Sequence, residues 1–274
     1  MITGVIYHHS NAVPLIGANL PTPNEFNFYF TVVIAQKEAY HLTGNHLCTG
    51  SLITRKHVLT SAECLTGHAT VSLKVIAGST SVLAPSHEMY DIAEKMTYAQ
   101  WFIQQGNNKL PGAAKNAFSN ICILELDVRD TGIRHVEISY GSDSQTPGNG
   151  AIAIGWGPCQ ESTCPMSPQL SFMKILSKTD CEMRYKLQEI KFKVPPGHLC
   201  IVDDRHGAVA VKGDFGGPVL SAMNQLIGIL VGTGPMPKPH SQYPNPINLV
   251  LPLNSYAEFI ADNTIDNELS PLIN

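Results

Sequence analysis

Short apolar runs punctuated by glycine and proline fill the chain from residue 28 onward, which is the pattern of many strands joined by turns. Phe28, Phe30, Val32 and Ile34 alternate with more polar positions across 28–36 and predict a first strand. Further strands are expected at 73–79, 168–177, 217–222, 226–231 and 247–253. The last two pieces before the final strand, 217–222 and 226–231, read as a hairpin around Met223-Asn224-Gln225. Helical periodicity is rare. Thr179 or Asp180 can cap a short helix running through Tyr185 and Leu187. Asn254 or Ser255 can cap a closing helix on which Tyr256, Phe259 and Ile260 share a face. Two stretches lack a period. Residues 88–119 read as irregular, with Gln104, Gln105, Gly106, Asn107, Asn108 and Pro111 marking a long polar loop, either a recognition loop or a tolerated insertion. Pro235, Pro237, Pro239, Pro244 and Pro246 stiffen another, as a rim for a partner or a plain spacer.

Composition narrows the function classes. With 43% hydrophobic and 15% charged residues over 274 positions, the chain can bury a substantial core. A net charge of -4 gives no electrostatic case for nucleic acid or an anionic membrane. No run approaches the roughly 20 apolar residues of a bilayer span. Tyr7, His8, His9, Ser10 and Asn11 interrupt the start, so no signal peptide is read there. The seven cysteines are an odd number, so at least one thiol is unpaired or pairs between chains. Cys159 and Cys164 lie close enough for a short local disulfide. As metal ligands they lack third and fourth partners, and the eleven histidines show no ligand spacing, so no metal or cofactor is expected.

The most informative stretch is Lys212-Gly213-Asp214-Phe215-Gly216-Gly217-Pro218. It resembles the Gly-Asp-Ser-Gly-Gly-Pro nucleophile loop of the trypsin/chymotrypsin-like serine proteases (peptidase S1), with Phe215 at the serine's position. Other segments resemble the same family in order. The Thr60-Ser61-Ala62-Glu63-Cys64 run resembles Thr-Ala-Ala-His-Cys, with Glu63 at the histidine. Ser119-Asn120-Ile121-Cys122-Ile123-Leu124 resembles Asn-Asp-Ile-Ala-Leu-Leu, with Asn120 at the aspartate. Gly155-Trp156-Gly157 matches the family's Gly-Trp-Gly. Leu15-Ile16-Gly17-Ala18 resembles its mature Ile-Val-Gly-Gly start, or is a plain glycine turn; Pro14 before it offers no trypsin-like cleavage site.

The resemblance implies an all-β fold of two packed six-stranded antiparallel β-barrels (trypsin-like) with a C-terminal helix. Residues 1–14 would be an N-terminal extension. Residues 15–264 would be the protease-like domain, its barrels about 15–135 and 136–264, and 265–274 a tail. It implies disulfides Cys48–Cys64 and Cys181–Cys200, with Cys122 the buried odd thiol. Val211 and the lack of a cysteine after Gly232 remove both halves of another family bridge. Val209 falls at the floor of the specificity pocket, where a trypsin keeps aspartate. Gly213 and Phe215 would supply the backbone N–H groups of an oxyanion hole.

Chemically the three substitutions are severe. A phenyl ring cannot form an acyl-enzyme, a carboxylate does not exchange protons near neutral pH as imidazole does, and an amide cannot stabilise an imidazolium by charge. A serine protease deprived of its triad loses about a million-fold in kcat. Phe215 is also expected to project into the substrate's space, and Asp214 to lack the N-terminal ammonium that family members bury against it. The expectation is a non-catalytic serine protease homologue, secreted, that binds another protein such as a protease, zymogen or inhibitor. Residual hydrolysis through Glu63, or a structural or storage role, are the other readings.

Overall fold

The computed structural model describes residues 28–37, 46–78, 88–107, 119–157, 167–238 and 240–264. Among these, thirteen strands divide into two antiparallel sheets that separate between residues 126 and 150. The first sheet holds β1 (Thr31–Gln36), β2 (His46–Leu52), β3 (His57–Thr60), β4 (Leu73–Ala77), β5 (Glu88–Tyr90), β6 (Ile92–Thr97) and β7 (Cys122–Leu126). Their order is β5-β4-β1-β2-β3-β7-β6. The second holds β8 (Gly150–Gly155), β9 (Gln169–Leu176), β10 (Leu199–Val202), β11 (Pro218–Ser221), β12 (Leu226–Thr233) and β13 (Ile247–Pro252), closed as β10-β13-β12-β11-β8-β9. The fold is therefore trypsin-like and mostly β. One six-stranded barrel closes as expected, whereas the other half is a seven-stranded sheet with β5 and β6 at its edges.

The first strand does not alternate buried and exposed positions. β1 starts at Thr31, after a turn, and all its residues except Gln36 are buried. Val32 and Ile34 enter the main core, while Val33 and Ala35 on the other face pack with Ile76 and Trp156. A strand covered on both faces loses its alternation. β8 behaves alike: Ala151 and Ala153 fill the closed barrel, and Ile152 and Ile154 face the main core. That core spans both sheets, and each fully buried Ile or Leu in it contributes about 1.5–3 kcal/mol.

Residues 88–107 are not irregular. They form β5, β6 and helix α1 (Tyr98–Gln104), started by a capping box in which the Thr97 hydroxyl accepts from Gln100 N–H and the Gln100 side chain accepts from Thr97 N–H. The Asn108 and Pro111 part of the expected loop lies outside the described residues. Helix α2 (Lys178–Lys186) is capped by Ser177, one position before the residues expected, because the Ser177 hydroxyl accepts from Asp180 N–H. Helix α3 (Ala257–Asp262) follows a 3-10 turn over Leu253–Tyr256, and neither Asn254 nor Ser255 caps it. It returns to α1, where the Trp101 indole donates to Asp262 at 3.0 Å and stacks edge-on against Phe259. No helix among the described residues is long and apolar enough to cross a membrane.

Candidate functional site

Loop 213–218 leads into β11 and sits where the two sheets meet. Its backbone is fixed largely by one residue of β2. Thr49 N–H donates to Phe215 O at 3.1 Å, and its hydroxyl donates to Gly213 O at 2.7 Å while accepting from Trp156 N–H at 3.2 Å. Thr60 donates to the Thr49 carbonyl at 2.8 Å, closing the bracket from β3. Gly216 packs into this bracket at φ 84°, and a Cβ there would sit 2.1 Å from Thr60 Oγ1 and 2.4 Å from Thr49 O. Both the left-handed backbone and the absent space demand glycine.

Asp214 is fully buried, and its carboxylate accepts from Gly157 N–H at 2.7 Å and Val211 N–H at 2.9 Å. Backbone donors thus hold the Asp214 carboxylate. Gly155 makes the room, since a Cβ there would fall 2.0 Å from an Asp214 oxygen. The Leu15–Ala18 segment that the family pairs with this aspartate lies outside the described residues.

Glu63 and Asn120 come together. Glu63 starts a 3-10 turn over Glu63–Leu65 and is exposed, while Asn120 is half-buried just before β7. The Asn120 carbonyl oxygen accepts from Glu63 N–H at 2.8 Å and from the Ser61 hydroxyl at 2.6 Å. Its amide donates to the Glu63 carboxylate at 3.2 Å. An amide suits this arrangement because it can donate to a carboxylate while accepting from the backbone. The disulfide Cys48–Cys64 anchors the turn, with Cα atoms 5.9 Å apart, and Cys64 Sγ lies 3.5 Å from Phe215 O. Positions 63, 120 and 215 are therefore neighbours in one bracketed structure.

Phe215 has its ring partly covered by the second sheet. It is half-buried and packs against the apolar cluster filling the closed barrel, which includes Ala210, Val219 and Leu230. Gly213 is buried at φ 106°, and neither its N–H nor that of Phe215 has a protein acceptor among the described residues. Val209 is buried and held between two bonds made by Asn248: Ala210 N–H donates to its Oδ1 at 2.6 Å, and its amide donates to Ala208 O at 3.1 Å. Upstream, buried Asp203 accepts from Arg205 N–H, His206 N–H and the Ser171 hydroxyl. Burial works to raise the Asp203 pKa, but these hydrogen bonds outweigh it and hold the carboxyl below its usual range.

Sequence reasoning missed Thr49, Asn248 and His46. Asn248 had a visible signal, a polar residue inside the apolar run of β13, where a buried amide must find partners. Burial lowers the His46 pKa to about 4, against the opposing effect of hydrogen bonds to the Cys48 and Gly157 backbones. Cys181 and Cys200 form the second disulfide, tying α2 to β10. Cys122 is a free, buried thiol, pushed up to about 12 by burial and so kept protonated. Cys159 and Cys164 lie outside the described residues.

With strand order, loop and both disulfides in place, the comparisons with known proteins become specific. The Trypsin family model matches residues 17–260. The chain belongs to the trypsin-like serine protease family. Trypsin theta of Drosophila melanogaster is 29% identical over 197 residues, covering 69% of this chain and 67% of that protein. A snake venom serine protease homolog of Protobothrops jerdonii is 25% identical over 268 residues, covering 94% of this chain and 92% of its own. In fold, the chain is similar to mouse neuropsin, with a TM-score of 0.64 at 20% identity over 87% of this chain and 95% of the other.

Proposed function

We propose that this chain is a non-catalytic member of its family, a pseudoprotease that works by binding another protein. The observation that carries the reading is the chemistry at positions 63, 120 and 215. Glu63 and Asn120 satisfy one another, and Phe215 offers a phenyl ring packed toward the barrel in place of a hydroxyl. A nucleophile, a near-neutral base and a carboxylate to orient it are the three requirements of acyl transfer. None of the three side chains supplies one of these roles. Val209 further removes a counter-charge for Lys or Arg at the pocket floor. A secreted location accompanies the reading, since two disulfides persist in an oxidising compartment. A role beside an extracellular protease cascade, in immunity or in venom, fits such a protein.

The test is a panel of peptide p-nitroanilides and esters together with a fluorophosphonate label, run on the chain and on Glu63→Gln. No hydrolysis above buffer and no labelling are expected. Turnover by the chain that Glu63→Gln abolishes would overturn the reading and establish an altered hydrolase. In parallel, immobilised protein is expected to retain a protease, zymogen or inhibitor saturably from extracellular fluid. Retention of nothing specific would favour a structural or storage role.

A further inference from the structure

Outside the cleft, the segment after α2 builds a groove that the site above does not use. Glu189 takes a left-handed conformation at φ 60° and turns the chain back along the helix. The returning segment is pinned in several places. Glu182 accepts from Val194 N–H at 3.2 Å and from Lys193 Nζ at 2.7 Å, and Phe192 lies 4.7 Å from the Tyr185 ring. Gln188 fixes the helix end, donating to Tyr243 O at 3.2 Å and accepting from Lys238 N–H at 2.7 Å. Cys181–Cys200 holds the other side.

Between helix and returning segment lies a groove of about 800 Å³ with Met183, Ile190 and Phe192 along it. Met183 is 42% exposed, an apolar side chain left to solvent on an otherwise tied-down element. The charges at the edge are unbalanced. Lys193 answers Glu182, and Lys238 faces Glu189 at 3.5 Å. Lys186 and Lys191 have no carboxylate partner among the described residues.

We propose that this groove docks a segment of a partner protein in which one large apolar side chain is flanked by carboxylates. The apolar side chain fills the space beside Met183 and Phe192, and Lys186 and Lys191 set register and association rate through the flanking charges. Because hydrogen bonds, stacking and a disulfide already hold both walls, little ordering is required on binding. The proposal names a partner class for the binding role above and rests on that reading. Its test reads peptide binding and not turnover, so the two fail separately.

The probe is a fluorescein-labelled, capped peptide with one Phe between paired glutamates, titrated with the full chain by fluorescence anisotropy. Two control peptides replace the Phe by Ser or every Glu by Lys. Saturable binding is expected for the first peptide, about fivefold or more weaker for each control, and weakening as NaCl rises. Lys186→Glu combined with Lys191→Glu should invert the charge preference while leaving thermal unfolding unchanged. Met183→Ser should weaken binding without altering its salt dependence. Lack of saturation, equal binding of the Glu and Lys peptides, or indifference to the charge reversal would each overturn the proposal. Sedimentation of the chain alone closes the remaining route: a dimer dissolved by the charge reversal would assign the groove to a second copy instead. Cleavage of the peptide, followed by mass spectrometry, would count against the non-catalytic reading while leaving the docking result to stand.

Discussion

Loop 213–218 and the Glu63–Asn120 pair lie side by side and are held by opposite means. The loop is positioned by buried backbone bonds and by space that only hydrogen atoms can occupy, as at Gly216 and Gly155. The pair is held by side chains near the surface, with Glu63 exposed. The difference separates architecture from chemistry. Backbone brackets such as that around Thr49 do not depend on which side chain projects at 215, so the fold tolerates a phenylalanine there. The chemistry depends on a few terminal atoms at positions 63, 120 and 215. This is the physical sense in which a fold does not carry its function.

That contrast can be broken experimentally, and the largest effect is expected in the bracket. Gly216→Ala forces a Cβ against Thr60 and Thr49 at a left-handed position, and should destabilise by about 3 kcal/mol or more. For a chain of this size that is a drop of roughly 6–12 °C in Tm, measured by thermal unfolding. A change near zero would mean the bracket is soft. A smaller effect, confined to acid, is expected at His46. Its folded pKa of about 4 lies below the unfolded value of 6.5, so the unfolded chain binds the proton more readily. The associated stability is present above pH 6.5 and is lost as pH falls toward 4. His46→Gln should flatten that part of the pH–Tm curve, and an unaltered slope would remove the histidine from the account. The smallest effect belongs to the pair. Glu63→Gln keeps the backbone N–H bond to Asn120 and should shift stability by no more than about 0.5 kcal/mol in denaturant unfolding. A loss as large as that of Gly216→Ala would erase the distinction between the two regions.

Legibility in the sequence followed the same division. The loop, the two described disulfides and the family were readable because they are short runs with fixed residue types, such as Gly213-Asp214-Phe215-Gly216-Gly217. Helix α1 was legible in principle through Thr97 and Gln100, but its single buried side chain, Trp101, gave no helical period to notice. The partners of Asp214 were not legible at all, because Gly157 and Val211 meet it with backbone N–H groups that every residue type carries. Nor was the packing of Phe215. A one-dimensional motif places a residue on a loop, and only the barrel interior behind the loop shows where an apolar ring goes. The open edges of the first sheet were hidden for a related reason, since strand count and closure depend on pairings between β5, β6 and their neighbours that no local pattern encodes.

Thr49 also sets an order of events. Its hydroxyl bonds reach Trp156, 107 residues on, and Gly213, 164 residues on. During synthesis β2 emerges long before its bracket can close, and no local helix or hairpin can substitute for contacts of that sequence separation. Loop 213–218 is consequently expected to form late, once both halves of the chain have met, and its ordering would report on completed assembly.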